Sequence, residues 1–127
     1  MDVGAAAYKD LGKSPNYATD YLNKEFGRRG ATAVSGYGAV DPEGPYLSPL
    51  HHPLGMEGDV PMFVQAGGGR EVICEDVKGL ARGFEKVGWR VKLVVSEGCP
   101  HDIILLGGMI GFREEAREAA REARRFF

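Results

Sequence analysis

The stretch that decides the fold is Pro61 to Ile103, which reads PMFVQAGGGREVICEDVKGLARGFEKVGWRVKLVVSEGCPHDI. It opens with the apolar run Met62-Phe63-Val64 and turns at three consecutive glycines, Gly67 to Gly69. Val72 to Lys86 has the apolar spacing of an amphipathic helix, and Arg90 to Val95 alternates as a strand does. A strand, a helix and a second strand in this order predict two parallel strands joined by the helix.

The two predicted strands differ in pattern. The first is continuously apolar, which predicts burial on both faces of a parallel sheet. The second carries Val91, Leu93 and Val95 on one side, which is typical of a strand with one wetter face or near an edge. Two parallel strands cannot cover themselves and need further strands and helices around them. The predicted fold class is therefore α/β, with these as a part of a larger sheet.

A last helix is predicted over Phe112 to Phe127. Its inward face consists of aromatic residues and alanines, namely Phe112, Ala116, Ala119, Ala120, Ala123 and Phe127. The opposite face pairs Glu114 with Arg117 and Glu118 with Arg121, three residues apart, each worth roughly a few tenths of a kcal/mol. This helix is expected to dock on the sheet from the surface.

The first part of the chain has a different character. Residues 1–59 are rich in Gly, Pro, Tyr and Ala and show no strand pattern. A short helix is predicted over Asn16 to Phe26, whose aromatic and leucine residues share one face. Four glycines are then predicted to interrupt regular structure: Gly27, Gly30, Gly36 and Gly38. So long an irregular stretch is unusual in a self-sufficient domain, which predicts missing packing partners. The chain thus divides into an irregular loop and short-helix region, 1–59, and a β-α-β-α region, 60–127.

Composition excludes several classes of protein. The chain has 127 residues, 43% hydrophobic and 27% charged, with a formal net charge of -2. It therefore lacks the basic surface of nucleic-acid binders. No apolar run is long enough to cross a bilayer, and residues 1–11 do not resemble a secretory signal. The two cysteines, Cys74 and Cys99, are too few for a disulfide framework, so a cytoplasmic protein with reduced thiols is expected.

A histidine and an acid follow the two predicted strands. His101 lies in Gly98-Cys99-Pro100-His101-Asp102, just beyond the second strand, where α/β sheets place working residues. Glu71 lies beyond the glycine turn after the first strand. Because neighbouring parallel strands lie about 4.8 Å apart, loops leaving the same sheet edge bring such residues together. Imidazole is a general base near neutral pH, and a carboxylate at its Nδ1–H would orient it.

Other interpretations of the candidate residues stay open. Glu75 and Asp76 are alternates for the acid, although acids in the first turn of a helix are also favoured by its dipole. The glycine turn before a helix suggests a phosphate site, but it lacks the third glycine of G-x-G-x-x-G and is followed by acids. Cys99 is more typical of a packed residue than of a nucleophile. His51 and His52 have no second cluster with ligand spacing, so neither a metal nor a cofactor is predicted.

Four motifs in this order resemble the hormone-sensitive-lipase-like esterases, also called α/β-hydrolase fold-3 enzymes. They are Asp41-Pro42-Glu43-Gly44-Pro45-Tyr46-Leu47-Ser48-Pro49-Leu50, Phe63-Val64-Gln65-Ala66-Gly67, Glu71-Val72-Ile73-Cys74-Glu75-Asp76 and Gly98-Cys99-Pro100-His101. The resemblance covers residues 41–127 well and residues 1–40 loosely. It implies a partial α/β-hydrolase fold, with the last parallel strands of the sheet and their flanking helices. It also implies that His101 is the histidine of a catalytic triad and Glu71 its acid, although the glycine loop is one residue longer than usual.

What the resemblance implies about function is limited by an absence. Members of that family are serine carboxylesterases and lipases, but no H-G-G-G motif and no G-x-S-x-G nucleophile elbow occurs in this sequence. The chain is thus expected to be the C-terminal segment of a hydrolase of acyl esters, with a small-molecule acyl ester as substrate, inactive alone and completed by a missing N-terminal part. The alternative is a non-catalytic interaction module that forms a homodimer through the edge strand, residues 90–95.

Overall fold

The computed structural model describes residues 11–36, 39–41, 44, 47 and 60–127. The described elements are a short 3-10 helix (Leu11–Lys13), α1 (Lys24–Val34), β1 (Met62–Gly67), α2 (Cys74–Lys86), β2 (Val91–Ser96), α3 (Ile103–Ile110) and α4 (Arg113–Phe126). They form a mixed α/β structure around a two-stranded sheet. Over the same ranges, every helix is too short or too polar to span a lipid bilayer.

The two strands pair in parallel, as the order of elements predicts. The register runs from Met62 opposite Val91 to Gly67 opposite Ser96. The N–H of Gly68 continues the ladder by donating to the carbonyl of Ser96 at 2.8 Å. Because both strands end at the same level, the loops after them leave from one end of the sheet side by side. This end of the sheet carries both candidate residues.

The prediction that β1 is buried on both faces is wrong. Met62 to Gln65 are half-buried, and only Ala66 and Gly67 at the end of the strand are buried. All six residues of β2 are half-buried, so burial does not alternate along it. The physical reason is that α2 and α4 are the described helices that pack on both strands, and they leave much of the sheet uncovered. Within the described residues β2 lies at an edge, as its pattern allowed.

Helix α2 follows its predicted pattern closely. It begins at Cys74, two residues later than predicted, and its buried residues are Cys74, Ala81 and Phe84. Gly88 follows with a φ of 95°, the left-handed conformation that glycine adopts without a Cβ clash. The chain then returns to the sheet, and Trp89 packs edge-on against Phe84 with ring centroids 5.0 Å apart.

The helix predicted over Asn16 to Phe26 is wrong in position. Residues 15–20 form turns and a bend, and the helix begins only at Lys24. Asn23 starts it, because its side chain accepts a hydrogen bond from the N–H of Phe26 at 2.8 Å, a helix N-cap. Gly27 and Gly30 lie inside α1 instead of interrupting the chain, whereas Gly36 follows the helix with a φ of 59°. Gly38 lies outside the described residues.

Helix α3 was not predicted. Its sequence, IILLGGMI, is apolar at every position other than its glycines, so it lacks the 3.6-residue periodicity that distinguishes a helix from a strand. It packs tightly on α4 at Gly107, where a Cβ would lie 2.8 Å from the Cβ of Ala116. The small residue at this crossing lets the two helix backbones approach each other.

Helix α4 matches its prediction within one residue at each end. The pairs Glu114–Arg117 and Glu118–Arg121 form at 2.7 and 3.0 Å, as predicted. The prediction of the inward face is wrong at two of its residues, because Ala120 is exposed and Phe127 is 75% exposed. Phe126 packs on the sheet instead, with its ring 6.2 Å from that of Phe63.

Candidate functional site

Glu71 and His101 meet at the end of the sheet where β1 and β2 terminate. The His101 Nδ1 lies 2.6 Å from the Glu71 Oε1, although the two residues are 30 positions apart. The Glu71 side chain is 1% exposed and that of His101 is 20% exposed. The contact is a buried acid-histidine pair whose imidazole reaches the surface, and it joins the two residues that the sequence singled out.

The carboxylate of Glu71 is held on both sides. Its Oε1 faces the imidazole, and its Oε2 accepts a hydrogen bond from the backbone N–H of Gly67. With the carboxylate acting as acceptor, Nδ1 is the protonated nitrogen of the neutral imidazole. Nε2 is then the nitrogen with a lone pair for accepting a proton. The pair therefore has the tautomer and polarity required of a general base.

The glycine turn allows the two loops to come this close. A Cβ at Gly67 would lie 2.5 Å from the carbonyl oxygens of Cys99 and Pro100, and one at Gly68 would lie 2.6 Å from the Cα of Glu97. Any side chain at either position would push the loops apart. Gly69, in contrast, has open space around it. The first two glycines are thus required by close backbone approach, which brings the loop of Glu71 against the loop of His101.

Nearby charges set the protonation of the imidazole. Burial, the largest single influence, lowers the pKa of His101. The hydrogen bond to Glu71 and the negative charges of Glu71, Asp102 and Asp20 together outweigh burial and raise that pKa above its ordinary value of 6.5. The imidazolium form is thus stabilised by its surroundings, as a base that accepts a proton during a reaction requires. Neutral His101, ready to act as a base, becomes more populated as the pH rises.

Tyr21 belongs to this site, although the sequence marks it only as one of the aromatic residues of the helix predicted over Asn16 to Phe26. Its ring centroid lies 6.1 Å from that of His101 at a tilt of 54°, and the residue is 45% exposed. Burial and the charges of Asp102, Asp20 and Glu71 raise the pKa of Tyr21 to about 12. Its phenol therefore stays neutral at physiological pH. No local pattern reveals this role, because it depends on a contact between distant parts of the chain.

The alternates for the acid have other surroundings. Glu75 is exposed and pairs with Lys78 of its own helix at 2.8 Å. Asp76 is exposed in the first turn of α2. Glu71 is the acid that contacts His101, and it also occupies the N–H of Gly67 that a phosphate at the glycine turn would need.

Cys99 and Ser96, the thiol and the hydroxyl closest in sequence to His101, contact other partners. Cys99 is buried against Ile103 and Ala119, its Sγ lies 3.7 Å from the carbonyl of Glu97, and burial raises the pKa of its thiol. Ser96, at the end of β2, has its hydroxyl 3.5 Å from the amide nitrogen of Gln65. Neither arrangement activates a nucleophile. Among the residues that the structure describes, no group of three or more His, Cys, Asp or Glu is placed to hold a metal ion; His51 and His52 lie outside those residues.

Comparisons with known proteins leave the family open. No model of a known protein family matches the chain, and no curated protein matches it.

Proposed function

We propose that this chain supplies the histidine and acid of a serine carboxylesterase or lipase-type hydrolase of acyl esters. The single observation that carries the proposal is the 2.6 Å contact between the His101 Nδ1 and the buried carboxylate of Glu71. In this interpretation β1 and β2 are the last two strands of an α/β-hydrolase sheet, and the loops after them carry the acid and the base.

The chemistry follows from the two ends of the imidazole. Nε2 of His101 removes the proton of a serine hydroxyl as that hydroxyl attacks the ester carbonyl, and later returns a proton to the leaving alcohol. Glu71 keeps Nδ1 protonated and stabilises the imidazolium formed in each step. The same stabilisation of the imidazolium raises the pKa of His101 in the absence of substrate.

The nucleophile is supplied by polypeptide outside these 127 residues. No serine in the sequence stands in a G-x-S-x-G context, and no H-G-G-G motif is present to bind the oxyanion. Ser96 and Cys99 contact groups other than His101. The chain by itself is therefore expected to be inactive, because removing a single oxyanion donor already costs about 2.7–4 kcal/mol of transition-state stabilisation.

The first test uses the chain alone. Hydrolysis of p-nitrophenyl acetate by the 127-residue protein is compared with that of a His101→Ala variant. At most a small difference in slow background rate is expected, because the exposed side chains that both proteins share react with this ester and the His101 imidazole alone adds one more such group. A burst of p-nitrophenol that depends on His101 would contradict the proposal, since it would place a nucleophile inside these residues.

The second test uses the chain extended by the coding sequence upstream of Met1. We expect an in-frame serine elbow there, and esterase activity that falls by roughly 10⁴-fold in Glu71→Gln and by roughly 10⁶-fold in His101→Ala. Glu75→Gln is the matched control, since Glu75 pairs only with Lys78 in the described contacts, and it should retain full activity. An upstream frame without a serine elbow, or activity insensitive to His101, would end the proposal.

A second candidate function is a non-catalytic module that forms a homodimer. It is favoured by one observation: in the sheet that the structure describes, β2 pairs with β1 alone, so its outer edge has backbone groups available for another strand. Sedimentation velocity over a wide concentration range tests it. A homodimer would appear as a concentration-dependent species, and a monomer at every concentration would exclude this alternative.

A further inference from the structure

The segment before α1, residues 11–22, hydrogen-bonds to the backbone of the loop that carries Glu71. Three side chains within five residues of each other reach residues more than fifty positions away. The carboxylate Oδ2 of Asp20 accepts a hydrogen bond from the N–H of Val72 at 2.8 Å. The amide of Asn16 donates to the carbonyl of Glu71 at 3.1 Å. Thr19 adds a longer contact of 3.4 Å to the carbonyl of Arg70.

Two of these bonds act on the same peptide unit. The carbonyl of Glu71 and the N–H of Val72 belong to the peptide group between those residues, so Asn16 and Asp20 hold its two ends. Because a peptide group is planar, holding both ends fixes its orientation. That orientation sets the direction in which the side chain of Glu71 leaves the backbone. The other Asp20 oxygen accepts from the N–H of Leu22, which fixes Asp20 itself.

An apolar cluster holds the segment of residues 11–22 in place. Leu11, Leu22 and Val72 are all buried and pack together, with Tyr17 and Ile73 against them. The same segment presents Tyr21 to the imidazole. The polar and apolar contacts of residues 11–22 therefore converge on the loop that carries Glu71.

We infer that Asp20 and Asn16 are positioning residues for the Glu71–His101 pair. By hydrogen-bonding to the N–H and the carbonyl of the Glu71–Val72 peptide, they orient the carboxylate towards the His101 Nδ1. In the described contacts neither residue hydrogen-bonds to the imidazole, and both orient it through Glu71; the charge of Asp20 also contributes to the raised pKa of His101. The inference takes its functional meaning from the proposed function. The geometry that it predicts is measurable without any enzymatic activity.

The test follows the Nδ1 proton of His101 by NMR, together with amide hydrogen exchange at Val72, in the 127-residue chain. In the wild type the Nδ1 proton should give a low-field signal, and the Val72 amide should be protected. Asp20→Ala removes the acceptor, so the signal should broaden or vanish and Val72 exchange should speed up roughly tenfold. Asp20→Asn keeps only one of the two acceptor oxygens that hold the N–H groups of Val72 and Leu22, so both observations should fall between those of the wild type and of Asp20→Ala.

Asn23→Ala is the matched control. It removes the N-cap of α1 from the same segment without touching residues 70–72 in the described contacts. If it abolished the Nδ1 signal as Asp20→Ala does, the effect would be general loosening and the inference would be overturned. An unchanged Nδ1 signal in a folded Asp20→Ala variant would overturn it too. If Asp20→Ala fails to fold, the wild-type protein decides, because rapid exchange at Val72 contradicts a grip on its N–H.

These outcomes are separable from those of the proposed function. If the Nδ1 signal and the Val72 exchange respond to Asp20→Ala as expected, but the extended chain has no esterase activity, the positioning role is supported and the proposed chemistry is excluded. Esterase activity and an intact Nδ1 signal in Asp20→Ala would do the reverse.

Discussion

The backbone of Gly67 packs directly against the backbone carbonyl group of Pro100. A Cβ built on Gly67 would lie 2.5 Å from the carbonyl oxygen of Pro100 and 2.9 Å from its carbonyl carbon. The obstacle is backbone, which cannot rotate away as a flexible side chain would. At the same time the N–H of Gly67 donates to the carboxylate of Glu71. The end of β1 therefore supports the acid and sets the distance to the loop of the histidine.

Gly67→Ala is expected to destabilise the fold by about 1–3 kcal/mol, the usual cost of forcing a group into a filled space. Gly69→Ala is the matched control from the same turn, because a Cβ there meets no atom within 4 Å. It should be neutral or slightly stabilising, since it restricts the unfolded chain. Urea unfolding of both variants measures the difference, and equal stabilities would contradict the close approach.

His101 is expected to stabilise the protein in a pH-dependent way. Its raised pKa means that the folded state binds the proton more tightly than the unfolded chain does. The stabilising contribution is therefore complete below the ordinary imidazole pKa of 6.5 and is lost as the pH rises through the raised value. His101→Ala should lower the free energy of unfolding by about 1–3 kcal/mol at acidic pH. The loss should be smaller at alkaline pH, where the substitution removes only the hydrogen bond from the neutral imidazole to Glu71.

The measurement is urea unfolding of wild type and His101→Ala across the neutral range. Glu75→Gln provides a baseline, because its hydrogen bond to Lys78 lowers the pKa of Glu75 and keeps it ionised throughout that range. A stability difference for His101→Ala that does not change with pH would show that the imidazole gains no proton affinity on folding.

Asp102 has the left-handed backbone conformation, with φ 60° and ψ 38°, directly after the histidine. This conformation costs most residues about 1–2 kcal/mol, while glycine, asparagine and aspartate adopt it more easily. Asp102→Ala should therefore be less stable than Asp102→Gly by about 1 kcal/mol. Asp102→Asn should keep the stability of the wild type and lower the pKa of His101, since it removes one of the negative charges that raise that pKa. Thermal melts and an NMR titration of His101 test the two statements, and a reversed order of Ala and Gly would contradict the first.

The pairing of Glu71 with His101 was predictable because it depends on short-range patterns and on one geometric rule. A run of apolar residues, a glycine turn and an amphipathic helix define the parallel strand pair, and parallel strands end side by side. The acid and the histidine then follow from their places after the strands. The choice among Glu71, Glu75 and Asp76 was open in the sequence. It is resolved by the contact between the Glu71 carboxylate and the His101 Nδ1, whereas Glu75 pairs with Lys78 of its own helix.

The rest of the site was beyond sequence reasoning for physical reasons. Asn16, Asp20 and Tyr21 reach the site through contacts with residues more than fifty positions away, and nothing in their local sequence marks those contacts. Aspartate and asparagine are equally common in turns, where their side chains bond to nearby backbone. Helix α3 escaped prediction because an apolar run without periodicity fits a strand or a helix equally well.

Two adjacent phenylalanines at the end of α4 give a paired test of its docking. Phe126 is half-buried, lies 6.2 Å from the ring of Phe63 and has the guanidinium of Arg90 5.0 Å above its ring. Phe127 is 75% exposed. Phe126→Ala should lower the free energy of unfolding by about 1–3 kcal/mol, less than for a fully buried ring, because part of its apolar surface already contacts water. Phe127→Ala should change it by less than about 1 kcal/mol, since among the described contacts this exposed ring loses only its edge-on contact with Phe126, whose ring centroid lies 5.2 Å away. Chemical unfolding of the two variants measures the contrast. A larger loss for Phe127→Ala would show that the helix docks in the orientation first predicted from its alanine face.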